Sequence, residues 1–159
     1  MPTGCGPDPL GLRVSAYPSE GVAVSAIGAG ERGDGVVAGA LDEAGVRRAV
    51  RDYVEGWFDG NATRMERALH PEFMKRCRGI EGDDPDALET LSAPEMIDAT
   101  ADGVGRREDA ADRGIEIKID YLEGGVASVQ CLCHRYVDLL HLIDMPDGWK
   151  IVNAAWRLG

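Results

Sequence analysis

Apolar residues recur at helical spacing through Val46, Val50, Tyr53, Val54, Trp57 and Phe58, with charged residues between them, and predict an amphipathic helix. Asp42 is its expected N-cap, and Gly60 is the natural residue to stop it. Asn61 can cap a second, shorter helix through Met65, Ala68 and Leu69 that must end before Pro71, so the two form a tight hairpin. Asn61-Ala62-Thr63 also spells a glycosylation sequon, but capping explains it better. A third helix is announced by Ser92-Ala93-Pro94-Glu95, a capping box with proline in the first turn. It continues through Met96, Ile97, Ala99 and Thr100, with Gly103 as its stop.

Between the second and third helices, Phe73 to Ile80 predicts a strand and Glu81 to Asp86 an acidic loop; residues 105 to 113 predict a charged loop. From there the period changes to two, with Ile115, Ile117 and Ile119 alternating against Glu116, Lys118 and Asp120. Glu123-Gly124-Gly125 predicts a turn, followed by strands from Val126 to Cys133 and from Tyr136 to Ile143. Met145-Pro146-Asp147-Gly148 then turns into a last strand from Trp149 to Trp156. Four consecutive strands make an antiparallel meander and an α+β chain. The strand from Tyr136 is apolar on both faces, with Val137, Leu139 and Ile143 on one side and Tyr136, Leu140 and Leu142 on the other. The helices can cover one face, and a second copy of the chain is the expected cover for the other, giving a homodimer through the sheet.

Residues 1–40 carry no sustained apolar period and are rich in Gly, Ala, Pro, Ser and Asp, so they predict a disordered extension ahead of a domain at 41–159. Gly28, Gly30 and Gly33 spell the dinucleotide-binding GxGxxG after a strand-like run. Asp34-Gly35 and Gly39 interrupt the long helix the motif needs, and no second parallel strand follows. The 159 residues suffice for one domain, and 44% hydrophobic content is enough for a core without disulfides. A net charge of −11 repels phosphate backbones and anionic lipid, which argues against nucleic-acid and membrane partners. No apolar run approaches the roughly 20 residues that span a bilayer, and the first dozen residues lack a secretory pattern, so a cytoplasmic location is expected. The four cysteines are too sparse for a disulfide framework. Cys131 and Cys133 share one strand face, but they lack the chelating loop of a zinc knuckle and His134 points the other way, so no metal is expected.

The order of these elements resembles the nuclear transport factor 2-like superfamily. It resembles most closely the branch named for lumazine binding, a neighbour of the SnoaL-like polyketide cyclases and the ketosteroid isomerases. The resemblance is carried by Asp52-Tyr53-Val54-Glu55-Gly56-Trp57, by Met65 to Phe73 including His70-Pro71, and by Leu91-Ser92-Ala93-Pro94-Glu95. Tyr136 to Leu142 and Gly148-Trp149-Lys150-Ile151-Val152-Asn153 complete it, over about residues 42 to 158. It implies a cone-shaped, curved antiparallel sheet wrapped around the N-terminal helix, with three helices, a cystatin-like roll whose open end is a small-molecule pocket.

That pocket directs attention to residues facing inward from sheet and first helix. Asp138, flanked by Val137 and Leu139, would be desolvated and held in the range useful for moving a proton next to a carbonyl; equally, it could satisfy a buried donor. His141 has the opposite parity and should face away from it. Tyr53 and Trp57, four apart, share a helix face as core or as pocket wall offering a hydroxyl and an indole N–H. His70 is either a ligand contact or a cation at a helix end. No nucleophile or metal cluster stands out, so cofactor-independent isomerase, cyclase or dehydratase-type proton transfer on a small apolar molecule is the expected enzymatic class. The alternative is a ligand-binding or dimerisation module without turnover.

Overall fold

The computed structural model describes residues 35–78, 86–134 and 136–159. The first helix, α1 (Gly35–Asp59), begins earlier than expected, so Asp42 lies inside it rather than capping it. Val36, Val37, Ala38, Ala40 and Leu41 carry enough helix-compatible backbone to absorb Gly39, whose cost of about 1 kcal/mol is small beside that of packing the rest of the helix. Of the extension expected to be disordered over residues 1–40, residues 1–34, with the GxGxxG run, lie outside the described residues, whereas residues 35–40 belong to α1. Val46, Val50, Val54 and Phe58 form the buried stripe of α1. The helix stops at Gly60, whose φ of 67° suits glycine, and α2 (Ala62–Ala68) starts at once under Asn61, whose side chain accepts from the Arg64 N–H at 3.1 Å.

The α1–α2 hairpin is locked by charge. Arg67 grips the buried Asp52 carboxylate through Nε and Nη2, both at 2.7 Å, and Arg64 reaches Asp52, Glu55 and Asp59 at 3.1, 2.5 and 3.1 Å. Burial pushes the Asp52 carboxyl up, but hydrogen bonds and charge from Arg67 and Arg64 outweigh it and hold it below its ordinary value.

Leu69 closes α2 and opens β1 (Leu69–Arg78), so this strand starts four residues before the expected Phe73; the expected end at Ile80 lies outside the described residues. A strand absent from the sequence reading, β2 (Leu88–Ser92), pairs antiparallel with β1 and leads into α3 (Ala93–Ala101). Glu95 accepts from the Ser92 N–H at 2.7 Å, as the capping box requires. The expected charged loop contains a short 3-10 turn at Ala110–Arg113. Then come β3 (Glu116–Glu123), β4 (Val126–Cys133), β5 (Tyr136–Met145) and β6 (Gly148–Leu158), the expected meander with the last two strands longer than read.

The six strands form one curved, mixed sheet in the order β2-β1-β6-β5-β4-β3. Its antiparallel character has one exception, because β1 pairs with β6 in parallel. That ladder skips between Leu69 and Met74, where Pro71 cannot donate. The inner face carries Phe73, Lys75 and Cys77 on β1, Cys131 and Cys133 on β4, and Asp138, Leu140 and Leu142 on β5. Helix α1 packs on this face, and Trp149 closes one side of the core against Gly45, where a Cβ would stand 2.6 Å from the indole. Leu139, His141 and Ile143 point outward, so Asp138 and His141 do face opposite sides.

Candidate functional site

Asp138 is not the lone carboxylate its sequence neighbours suggested. It is 2% exposed, and its Oδ1 accepts from Lys75 Nζ at 2.8 Å. Lys75 Nζ also donates to the Tyr53 hydroxyl at 2.6 Å, and that hydroxyl donates to Asp138 Oδ1 at 3.3 Å. The backbone explains how residues on β1 and β5 can meet. Strand β6 lies between them, and strands are spaced about 4.8 Å apart. The position of β6 flanked by Lys75 on one side and Leu140 on the other is Ala154, fully buried and too small to block the lysine stem. The β6 residue paired with Asp138 is Trp156, so the long side chain from β1 reaches the short one from β5 across the indole ring.

The ammonium also lies over the Trp156 ring, 4.8 Å from its centre. The two opposite charges compensate each other, which is what a buried ion pair requires. Burial, the Asp138 charge and its hydrogen bond push the Tyr53 phenol well above its ordinary value, so it stays a donor throughout the physiological range.

This cluster forms the polar end of a cavity of about 470 Å³. Its other walls include Trp57, Leu91, Met96, Cys133, Tyr136 and Trp156, with Glu89 and Thr90 from β2 and the exposed Val104 near the opening. Trp57 is held by backbone: a Cβ on Gly105 would stand 2.0 Å from the indole, so only glycine permits this contact. The cysteines act here as apolar lining. The Cys131 thiol donates to Cys133 and is buried, both of which push it far up, while burial and the Glu89 charge raise Cys77. Among the described residues, no group of His, Cys, Asp and Glu is arranged to hold a metal ion.

Tyr53, Trp57 and Asp138 thus meet at one cavity, whereas His70 does not join them. It lies on β1 beside a separate shallow groove formed with Glu66, Leu69, Pro94 and Ile97. Its Nδ1 accepts from the Glu72 N–H at 3.1 Å, one residue beyond the Leu69 cap of α2. Lys75 was missed. Its alternation with Phe73 and Cys77 was the available signal, since i, i+2 spacing puts all three on one face.

A curved, unclosed sheet wrapped on a long helix is the architecture of the nuclear transport factor 2-like class. The chain belongs to the family described as "Putative lumazine-binding", whose sequence pattern matches residues 41–157. Solved structures agree on the fold. A nuclear transport factor 2-like protein of unknown function from Silicibacter pomeroyi superposes with a TM-score of 0.61 at 17% identity, covering 76% of this chain and 98% of that one. One with a cystatin-like fold from Novosphingobium aromaticivorans gives 0.57 at 18%, covering 77% and 85%. One from Shewanella baltica, also of unknown function, gives 0.56 at 12%, covering 76% and 95%. No curated protein sequence matches the chain. No helix among the described residues is long and apolar enough to cross a membrane.

Proposed function

We propose that this protein binds a small, neutral, largely apolar organic molecule in the cavity between α1 and the sheet. The Lys75–Asp138–Tyr53 cluster would hold the ligand's polar end. The observation that carries this reading is a compensated, buried polar cluster in the wall of a mostly apolar cavity of about 470 Å³. That size falls within the range of ligand pockets, and a few convergent polar groups in apolar walls are their usual composition. A neutral ligand is favoured because Asp138 already matches the Lys75 charge, while a chain charge of −11 opposes anions. Two of the three tryptophans line the cavity, so quenching of indole fluorescence reports occupancy. A panel of neutral ring compounds, lumazine among them, should quench saturably. Failure of every member to do so, with no small molecule retained in native mass spectrometry, would remove the reading.

Cofactor-independent proton transfer is the catalytic form of this proposal. It is supported by Asp138 Oδ2, which takes no part in the bonds to Lys75 and Tyr53. Lys75 and Tyr53 would polarise a carbonyl oxygen while Asp138 takes the proton from the adjacent carbon. Deuterium uptake at that carbon of a bound ketone, lost in Asp138→Asn, tests it. Uptake equal to the free ketone's leaves the non-catalytic binding module. The outward apolar residues Val126, Leu132, Leu139 and Ile143 support a homodimer through the sheet's outer face.

A further inference from the structure

We infer that Lys75 is a covalent anchor, forming an imine with a neutral ketone or aldehyde in the cavity; this rests on the ligand-pocket reading above. The chain has only three lysines against fourteen arginines, so basic positions are otherwise filled by a group that cannot perform this chemistry. Of the three, Lys118 is exposed beside Asp120, and Lys150 is held by the Arg67 carbonyl and Asp147. Lys75 alone lines the cavity. It is 8% exposed, and its Nζ lies 2.8 Å from a carboxylate oxygen and 2.6 Å from a phenol. An arginine there would make the same ion pair with better fork geometry, so a role in charge pairing alone does not call for lysine. A desolvated lysine with an acid–base group in reach is the arrangement amine nucleophiles use.

The step balances within the site. The Lys75 ammonium passes one proton to Asp138, leaving a neutral amine and a neutral carboxylic acid. The amine lone pair attacks the carbonyl carbon, and the C=O π pair moves to oxygen, giving a carbinolamine once the nitrogen proton has shifted to that oxygen. The Asp138 proton then protonates the hydroxyl, the C–O bond breaks, and water leaves as the nitrogen lone pair forms C=N. The product is an iminium cation facing the regenerated Asp138 carboxylate, so the charge pair survives the reaction. Tyr53, still a phenol, can donate to the departing oxygen. The cavity's apolar walls disfavour the released water and hinder return hydrolysis.

The test incubates the full chain with 6-methoxy-2-naphthaldehyde and sodium cyanoborohydride, which supplies the hydride that fixes any imine as a secondary amine. Peptide mass spectrometry then reads the three lysines. The matching alcohol, which cannot form an imine, measures occupancy separately through indole quenching. The expected result is labelling of Lys75 at least about tenfold above Lys118 and Lys150, because a bound carbonyl meets the amine at high effective concentration. Excess unlabelled alcohol should suppress it, and Lys75→Arg should abolish it. If the alcohol binds but Lys75 is labelled no faster than the exposed Lys118, the imine is refuted and the pocket reading stands. If neither probe binds, the pocket reading fails and the imine fails with it. The wild-type comparison among lysines decides the matter even if Lys75→Arg does not fold.

Discussion

Removing one charge of the Lys75–Asp138 pair gives the sharpest physical test of the site. In Asp138→Asn, Lys75 keeps a carbonyl acceptor and the Tyr53 hydroxyl but loses its counter-charge, in a place where both residues are less than a tenth exposed. Breaking a buried pair from one side costs about 3–5 kcal/mol, and the retained hydrogen bond argues for the lower end, about 3 kcal/mol. For a domain of this size each kcal/mol lowers Tm by about 3–4 °C, so a fall of about 10 °C is expected. Lys75→Met should be similarly harmful, because Asp138 would then keep only the 3.3 Å bond from Tyr53. The double variant Lys75→Met/Asp138→Asn has no buried charge left at the pair and should be more stable than the sum of the two losses by about 2 kcal/mol or more. Urea denaturation of all four proteins at pH 7 supplies the cycle. Additivity to within about 0.5 kcal/mol would mean the two groups are not energetically coupled, and the reasoning about the site would fall.

Three further outcomes follow from other parts of the molecule. Asp52 has a depressed folded-state pKa, so its contribution to stability is present above the unfolded value of 3.8 and is lost as pH falls through the lower folded one. Urea midpoints measured from pH 5 downward should therefore fall less steeply in Asp52→Asn, which starts less stable; parallel curves would count against the Arg64–Arg67 clamp. Gly105→Ala should force Trp57 out of place at a cost of about 1–3 kcal/mol, with a shifted indole emission. An unchanged Tm and spectrum would show that the loop yields instead. Leu139→Asp places a charge at the centre of the outer face and should leave a monomer by sedimentation at micromolar concentration where the wild type is a dimer; equal sedimentation of the two would remove that interface.

Local chemistry announced most of the architecture. The α1 stripe, the Asn61 cap, the Ser92–Glu95 box and the alternation from Ile115 onward each depend on neighbours a few residues away, and each is found where the pattern puts it. Two features depended on distant partners and were not legible. Leu88–Ser92 is a short run after an acidic stretch, and it becomes a strand only because β1 offers it an edge. The parallel union of β1 with β6 leaves no local mark. At the site, parity set Asp138 and His141 on opposite faces of the strand, as found, but could not say which face is the inner one. The alternative that Asp138 satisfies a buried donor was open, but the donor itself was not legible, because Lys75 sits 63 residues away in a run, Met74-Lys75-Arg76-Cys77-Arg78, that looks like ordinary solvated charge. His70 follows the end of α2 as its place before Pro71 suggested, but its position in β1 puts it at a different groove from Asp138.

The position of β6 also sets an order of assembly. It is the last strand in the chain, yet in the sheet it separates the β1–β2 pair from the β3–β4–β5 meander. Both of those pieces can form from near neighbours, whereas joining them requires closing long loops, the slow part of folding a sheet. Since β6 can pair with β5 as a local hairpin, the long-range step is the meeting of β1 with β6, and before it Lys75 and Asp138 would ride on separate fragments and stay hydrated. Burying them together in that step would spare the chain a compact intermediate holding either charge alone, and would make the cavity depend on the register of the whole sheet.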